Sequence, residues 1–264
     1  MKRKEFLTSA GLIGVMPFVS GISNSITNKK DENQFVELIK YDLHPGAKQS
    51  MVSDFYKNVA IPALNRIGIP KVGVYSPVYG TGSLTLFVLI PHASLEAVYT
   101  DNEKLLQDKT YMSEGEKFLN PPMNDTSFVR MEKSVFRAFD ALPAVVVPTE
   151  LMSNNSRIYE IRIYESPGMV AAKKKVQMFN EGGEIEVFKK TGLNPVFFGE
   201  CLSGASMPNL YYMLAFNNIQ ERDSNWSVFV KSPEWGKLSK DPYYAETVSN
   251  ITDIILRPAV FSQI

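Results

Sequence analysis

A repeat constrains this chain more than any other feature of its sequence. Residues 158–168 read IYEIRIYESPG, and residues 35–46 read FVELIKYDLHPG. In each, a run of strand-forming residues ends in Tyr, and a Pro-Gly pair turns the chain into a stretch of helical spacing. Glu37 matches Glu160 and Tyr41 matches Tyr164, both at an offset of 123 residues. Gly68 matches Gly192 at 124, Phe136 matches Phe261 at 125, and Leu84 matches Leu210 at 126. So little drift leaves room for few insertions. A period this long marks a duplicated domain and not a solenoid unit.

Each copy spells the same order of elements. In the first, a strand over 35–41 leads into a helix from Ala47 to about Arg66. That helix carries Met51, Val52, Phe55 and Val59 on one face. Pro62 is expected to kink or end it, and Gly68 to stop it. Strands follow over 71–78 and 84–90, joined by a Gly-rich turn at 79–83. Ser94 caps a second helix that runs to about Asp108. A loop around Asn120 precedes a last strand within 127–139. The second copy runs strand 158–164, helix 169–190 broken at Gly182-Gly183 and stopped at Gly192, and strands 195–202 and 210–216. Helix 218–230, a helical turn at Pro233 and strand 251–261 complete it.

Strand–helix–strand–strand–helix–strand is the split β-α-β, ferredoxin-like arrangement. Its helices cover one face of a four-stranded sheet, and the other face must also be buried. Packing the two sheets against each other does this within one chain. The expected fold is therefore α+β: two tandem ferredoxin-like (βαββαβ) repeats closed as an intrachain α+β barrel. The expected organisation is a signal peptide over 1–25, a flexible leader over 26–33, an N-terminal repeat over 34–140, a linker over 141–156 and a C-terminal repeat over 157–264.

The signal peptide rests on basic Lys2, Arg3 and Lys4 followed by an uncharged, small-residue-rich run from Leu7 to Ile22. Gly residues and Pro17 break that run, and it is too short for a membrane-spanning helix, so no stable span is expected once it is removed. Arg3-Lys4-Glu5-Phe6-Leu7 is one residue from a twin-arginine address. The expected location is periplasmic or extracellular. Lys and Arg number 28 against 28 Asp and Glu, which argues against nucleic acid as a partner. The run Lys173–Lys175 reads as a solvated helix face. A single cysteine, Cys201, forbids an internal disulfide and reads as a small buried hydrophobe.

Period two assigns faces to the first strand of each copy. Tyr159, Ile161 and Ile163 share one face, and Glu160, Arg162 and Tyr164 the other. Val36, Leu38 and Lys40 share one face in the first copy, and Glu37, Ile39 and Tyr41 the other. The apolar sets suit a helix layer. The polar sets would then line a cleft between the sheets, with Glu160, Arg162, Tyr164, Glu37 and Tyr41 on its wall. There Arg162 either holds an anionic group of a small organic ligand or forms a structural pair with Glu160. The two histidines, His44 and His92, lack metal-ligand spacing, so no metal site is expected and no cofactor is called for. His44 reads as a solvent-facing turn residue. Trp226 and Trp235 read as core.

Residues 158–264 resemble the NIPSNAP family. The resemblance is carried by Tyr159-Glu160-Ile161-Arg162-Ile163-Tyr164, Pro167-Gly168, Glu221-Arg222, Ser232-Pro233-Glu234-Trp235 and the closing Ile255-Leu256-Arg257-Pro258-Ala259-Val260-Phe261. The first repeat is similar but diverged, with Ile39 where Arg162 stands. The resemblance implies a dimeric α+β barrel, here two halves in one chain, and leaves open a homodimer of whole chains. It brings no catalytic residues. Three functions follow as expectations. The first is a non-catalytic small-ligand-binding or interaction module using the inter-sheet cleft. The second is a cofactor-free monooxygenase or isomerase acting on a small organic anion, with Arg162 as anchor and Tyr164 or Glu160 moving the proton. The third is a haem-binding protein using His44 or His92.

Overall fold

The computed structural model describes residues 33–78 and 84–264. The signal peptide, the leader up to residue 32 and the 79–83 turn lie outside the described residues. Eight strands form: β1 (Phe35–Asp42), β2 (Gly73–Pro77), β3 (Thr85–His92), β4 (Arg130–Ala138), β5 (Ile158–Glu165), β6 (Asn194–Ser203), β7 (Asn209–Phe216) and β8 (Asn250–Pro258). They close into one antiparallel barrel in the order β1-β3-β2-β8-β5-β7-β6-β4. Each half supplies one ferredoxin-like sheet. The seams are β2 on β8 and β4 on β6. The expected sheet-to-sheet closure of two repeats is thus the observed architecture, and closure leaves neither sheet a bare edge.

Helices cover the outside. The first half has α1 (Met51–Phe55), a π-helical turn (Tyr56–Ala60), α2 (Ile61–Arg66), α3 (Leu95–Gln107) and α4 (Lys109–Leu119). The second has α5 (Met169–Asn180), α6 (Glu184–Lys190), α7 (Ile219–Lys231) and α8 (Pro233–Leu238). Pro62 does not end its helix. It has no N–H to give the carbonyl of Asn58, and the turn just before it widens to π geometry. Gly68, Gly183 and Gly192 sit at φ +91°, +79° and +79°, which is why glycine stands at these three helix boundaries. The helix α4 is absent from the sequence reading. Asp108 starts it, its carboxylate accepting from the amides of Thr110 and Tyr111.

The observed register corrects one repeat match. Phe136 stands opposite Val36 on β1, and Leu256 stands opposite Tyr159 on β5. Leu256 is therefore the counterpart of Phe136, and Phe261 lies beyond β8.

The faces of β1 and β5 are also reversed from expectation. Val36, Leu38, Tyr159 and Ile161 pack inside the barrel with Leu89, Phe136, Met213 and Leu256. Ile39 and Tyr41 pack against the first helix layer, and Tyr164 against the second. An alternating strand with both faces covered does not declare which face meets helices. The physical choice follows from what each layer offers. The barrel interior offers mainly apolar side chains, so a buried charge finds few partners there. The helices bring arginine, lysine and tryptophan to meet it. The residues of 141–156 close one barrel end, with Val145 and Leu151 buried among the interior side chains and the amide of Val145 bonded to Gln34.

Candidate functional site

The face reversal places Glu37 and Tyr41 in a cavity of about 440 Å³ between the first sheet and its helices. Tyr41, Phe55, Tyr56, Tyr111, Phe118 and Phe128 bring six aromatic rings to its wall. Phe55 of α1 stacks on Phe118 of α4 with centroids 3.9 Å apart, and Phe128 meets Tyr41 edge-on at 5.1 Å. Gly115 lets α4 come close. A Cβ there would stand 3.1 Å from the Phe55 ring and 2.8 Å from the Leu119 side chain. Tyr56, from the π-helical turn, shares a 3.0 Å hydrogen bond with the Tyr41 hydroxyl. Burial pushes both hydroxyls well above the ordinary tyrosine range, and pushes Tyr111 up to about 12. All three phenols stay neutral and can donate.

One end of this cavity is polar. His92, the last residue of β3, is buried. Its Nδ1 lies 2.9 Å from Oδ2 of Asp101 on α3. Lys104, one turn on, donates to the other Asp101 oxygen at 2.7 Å. Burial raises the Asp101 pKa, but the bonds from Lys104 and His92 outweigh it and hold the carboxyl below its usual value. The other ring nitrogen, Nε2, has no hydrogen-bond partner among the described residues. It stands 4.0 Å from Oε2 of Glu37, whose Oε1 accepts from Lys133 at 2.7 Å. Asp101 fixes a proton on Nδ1, and Nε2 lies on the cavity wall beside the Glu37 carboxylate.

The second half uses the same strand position differently. Glu160 is fully buried and takes three hydrogen bonds: from Arg222 Nη2 at 2.5 Å, Arg222 Nε at 3.2 Å and Trp226 Nε1 at 2.7 Å. Arg162 stacks over the Trp226 ring at 4.3 Å and reaches Glu160 only at 3.5 Å. Tyr164 bonds the Tyr212 hydroxyl at 3.0 Å. These three residues lie between β5 and its helices, not in an inter-sheet cleft. Glu37 and Tyr41 likewise face helices, so the structure divides the five expected site residues between two separate layers. Trp226 is both core and a donor to Glu160. Lys175 corrects the reading of the basic run: it is buried and paired with Glu184 at 2.7 Å.

His92 and Asp101 escaped the sequence reading as a pair. The sequence places the third strand over 84–90 and leaves His92 outside it, whereas β3 continues through Pro91 to His92. A usable signal was present, since Asp101 falls one turn before Leu105 on the buried face of α3. His44, by contrast, is half-buried and its Nε2 meets the Thr126 hydroxyl at 3.0 Å. Among the described residues no helix is long and apolar enough to cross a membrane.

The family model for NIPSNAP matches residues 36–143 and 159–263. The chain belongs to the NIPSNAP family. No curated protein matches it. Among solved structures it is similar to a candidate monooxygenase from Fusobacterium nucleatum subsp. nucleatum ATCC 25586, with a TM-score of 0.55 at 5% identity over 86% of this chain and 92% of that one. A candidate monooxygenase from Lactobacillus acidophilus NCFM gives 0.54 at 10% identity over 86% and 94%. An uncharacterised NIPSNAP-like domain protein from Burkholderia xenovorans aligns at 18% identity over 41% of this chain and 90% of its own, with a TM-score of 0.36. The first two likenesses establish the fold of this two-repeat NIPSNAP protein and nothing beyond it.

Proposed function

We propose that this NIPSNAP protein binds a small, largely aromatic or apolar molecule in the first-half cavity and removes one acidic proton from it. The observation that carries this reading is the unpartnered Nε2 of His92, buried on the wall of an aromatic-lined space. A base held without a partner is costly in a folded protein unless a ligand uses it. His92 takes the proton from a phenol, enol or activated C–H, acting as a general base. The imidazolium so formed sits between Asp101 and Glu37, and Lys133 balances the second carboxylate. In the Tyr41–Tyr56 pair, the hydroxyl that accepts their mutual bond keeps its own proton as a neutral donor for the ligand's oxygen. The resulting anion has two outlets. Return of the proton at another atom is isomerisation. Reaction with dioxygen is oxygenation, in which one oxygen atom enters the ligand and the ligand's own two electrons reduce the other to water; the Fusobacterium and Lactobacillus neighbours are named as candidate monooxygenases. Binding alone is the outcome if the anion is merely held.

The test uses 1,2-dihydroxyanthraquinone, a planar phenol whose visible absorption moves to longer wavelength on losing a proton. Wild-type protein should bind it as the anion at a pH where the free dye is neutral. His92→Gln should bind it as the neutral dye. A neutral-dye spectrum on the wild type, or an unchanged anion spectrum on His92→Gln, overturns the reading. Residues 1–25 further support export of the chain, for which the check is a mature N-terminus found by mass spectrometry after expression in a bacterial host.

A further inference from the structure

The barrel holds a second, separate chamber. Its interior is unevenly packed along the axis. At the end closed by 141–156, the inward side chains Val36, Leu89, Phe136, Tyr159 and Leu256 are buried against one another. At the opposite end Leu38, Phe87, Ile161, Ile163, Tyr211 and Ile254, drawn from both repeats, surround a cavity of about 640 Å³. Ile163, Tyr211 and Ile254 are only half-buried there, although they point into the barrel. Apolar surface left wet costs about 25 cal/mol per Å², and contiguous patches of it mark binding sites more often than packing faults. The size and the mainly apolar lining are those of a small-molecule site.

Polar residues, Lys40, Thr85, Glu132, Lys133 and Ser134, line part of this chamber. Lys40 occupies the position of Ile163 in the other repeat, 123 residues apart, and lines the chamber. Its ammonium is 3.5 Å from both Asp42 and Glu132, longer than a hydrogen bond to either. One lysine between two carboxylates leaves the rim slightly negative, so the mouth does not attract an anion. Inside, burial raises the Tyr211 pKa to about 12, so its hydroxyl remains a neutral donor within the chamber. The geometry points to a binding site for an uncharged amphiphile: an apolar chain or ring system fills the barrel, and one hydroxyl or carbonyl oxygen accepts from Tyr211. This site exists only because the chain is duplicated, since each repeat supplies half the wall. It does not rest on the role given to His92, whose side chain lies on the other side of the first sheet.

The probe is N-phenyl-1-naphthylamine, uncharged and fluorescent in apolar surroundings, displaced by a series of straight-chain alcohols. Full-length protein should bind it, and Ile163→Trp, which fills the chamber, should weaken that binding at least tenfold. Ala60→Phe, which fills the helix-layer cavity instead, should leave the alcohol-displaced component unchanged. Tyr211→Phe keeps the packing and should lower the advantage of alcohols over alkanes of equal length about three- to tenfold, the worth of one neutral hydrogen bond. Circular dichroism melts confirm that each variant folds. Loss of all alcohol-displaceable binding in Ala60→Phe, or unchanged binding in Ile163→Trp, overturns the proposal. An unchanged alcohol preference in Tyr211→Phe overturns the role of the hydroxyl.

Discussion

The two helix layers of this molecule start from the same strand and end as opposites. Position for position, Glu37 corresponds to Glu160. His92 stands opposite Phe35 on β3, as Phe216 stands opposite Ile158 on β7. In the second half the space over the sheet is filled by rings. Phe198 and Tyr212 stack at 4.9 Å, Phe188 meets Phe229 at 4.7 Å, and Glu160 is saturated by Arg222 and Trp226. In the first half the layer keeps a 440 Å³ space, with a buried imidazole that has one nitrogen unused. Duplication let one copy specialise in packing while the other kept room. A fully paired buried charge is a structural element, whereas a half-paired one next to a cavity points to a ligand.

Breaking the saturated side should have the largest effect. Arg222→Ala strands a fully buried carboxylate with only Trp226 as donor, and should lower stability by about 3 kcal/mol. Arg162→Ala should cost about 1 kcal/mol, since Arg162 makes no close bond to Glu160. Denaturant unfolding of both variants checks the ordering, and equal losses would return Arg162 to the role of structural partner. Making the second half resemble the first comes next. Phe216→His places an imidazole among rings with no Asp101 equivalent, because Asn225 occupies that helix position. It should lower stability by about 2–3 kcal/mol. A neutral outcome would mean that the second layer is less tightly filled than it looks.

The barrel core offers a pH handle. Burial raises the Cys201 thiol to about 11 from an ordinary value near 9. The folded state thus holds its proton where the unfolded state has lost it. Stability is intact below pH 9 and falls as pH rises from 9 to 11, by up to about 2 kcal/mol. Comparison with Cys201→Ala isolates this component, since the variant should lose less stability over that interval. On the open side, Lys133→Ala leaves the buried Glu37 carboxylate without its lysine donor and should cost about 2 kcal/mol by thermal melting, less than Arg222→Ala because Glu37 borders a cavity.

How much of this was legible follows from which physical signals act locally. The repeat, the strand–turn–helix order and the glycine stops at Gly68 and Gly192 depend on backbone conformations that only certain residues adopt, and they read correctly. Sheet-to-sheet closure followed from the need to bury a second face. The face of β1 and β5 did not read correctly, because a strand covered on both sides alternates without saying which cover is helical. The partners of Glu160 were present in the sequence as Arg222 and Trp226, four residues apart on one helix face. Nothing local tied them to a strand 62 residues away. His92 falls just past the strand read over 84–90, and nothing local marks Asp101, a charged residue inside a helix, as its buried partner.

The most direct test of the central claim is the protonation state of His92, and with only two histidines in the chain the long-range ¹⁵N–¹H spectrum is simple to assign. In the free protein His92 should hold its Nδ1 proton on Asp101, with Nε2 unbonded. On adding 1,2-dihydroxyanthraquinone it should become doubly protonated, while the signals of His44 stay in place. A proton already fixed on Nε2, or a His92 signal unmoved while the dye binds, would contradict the account.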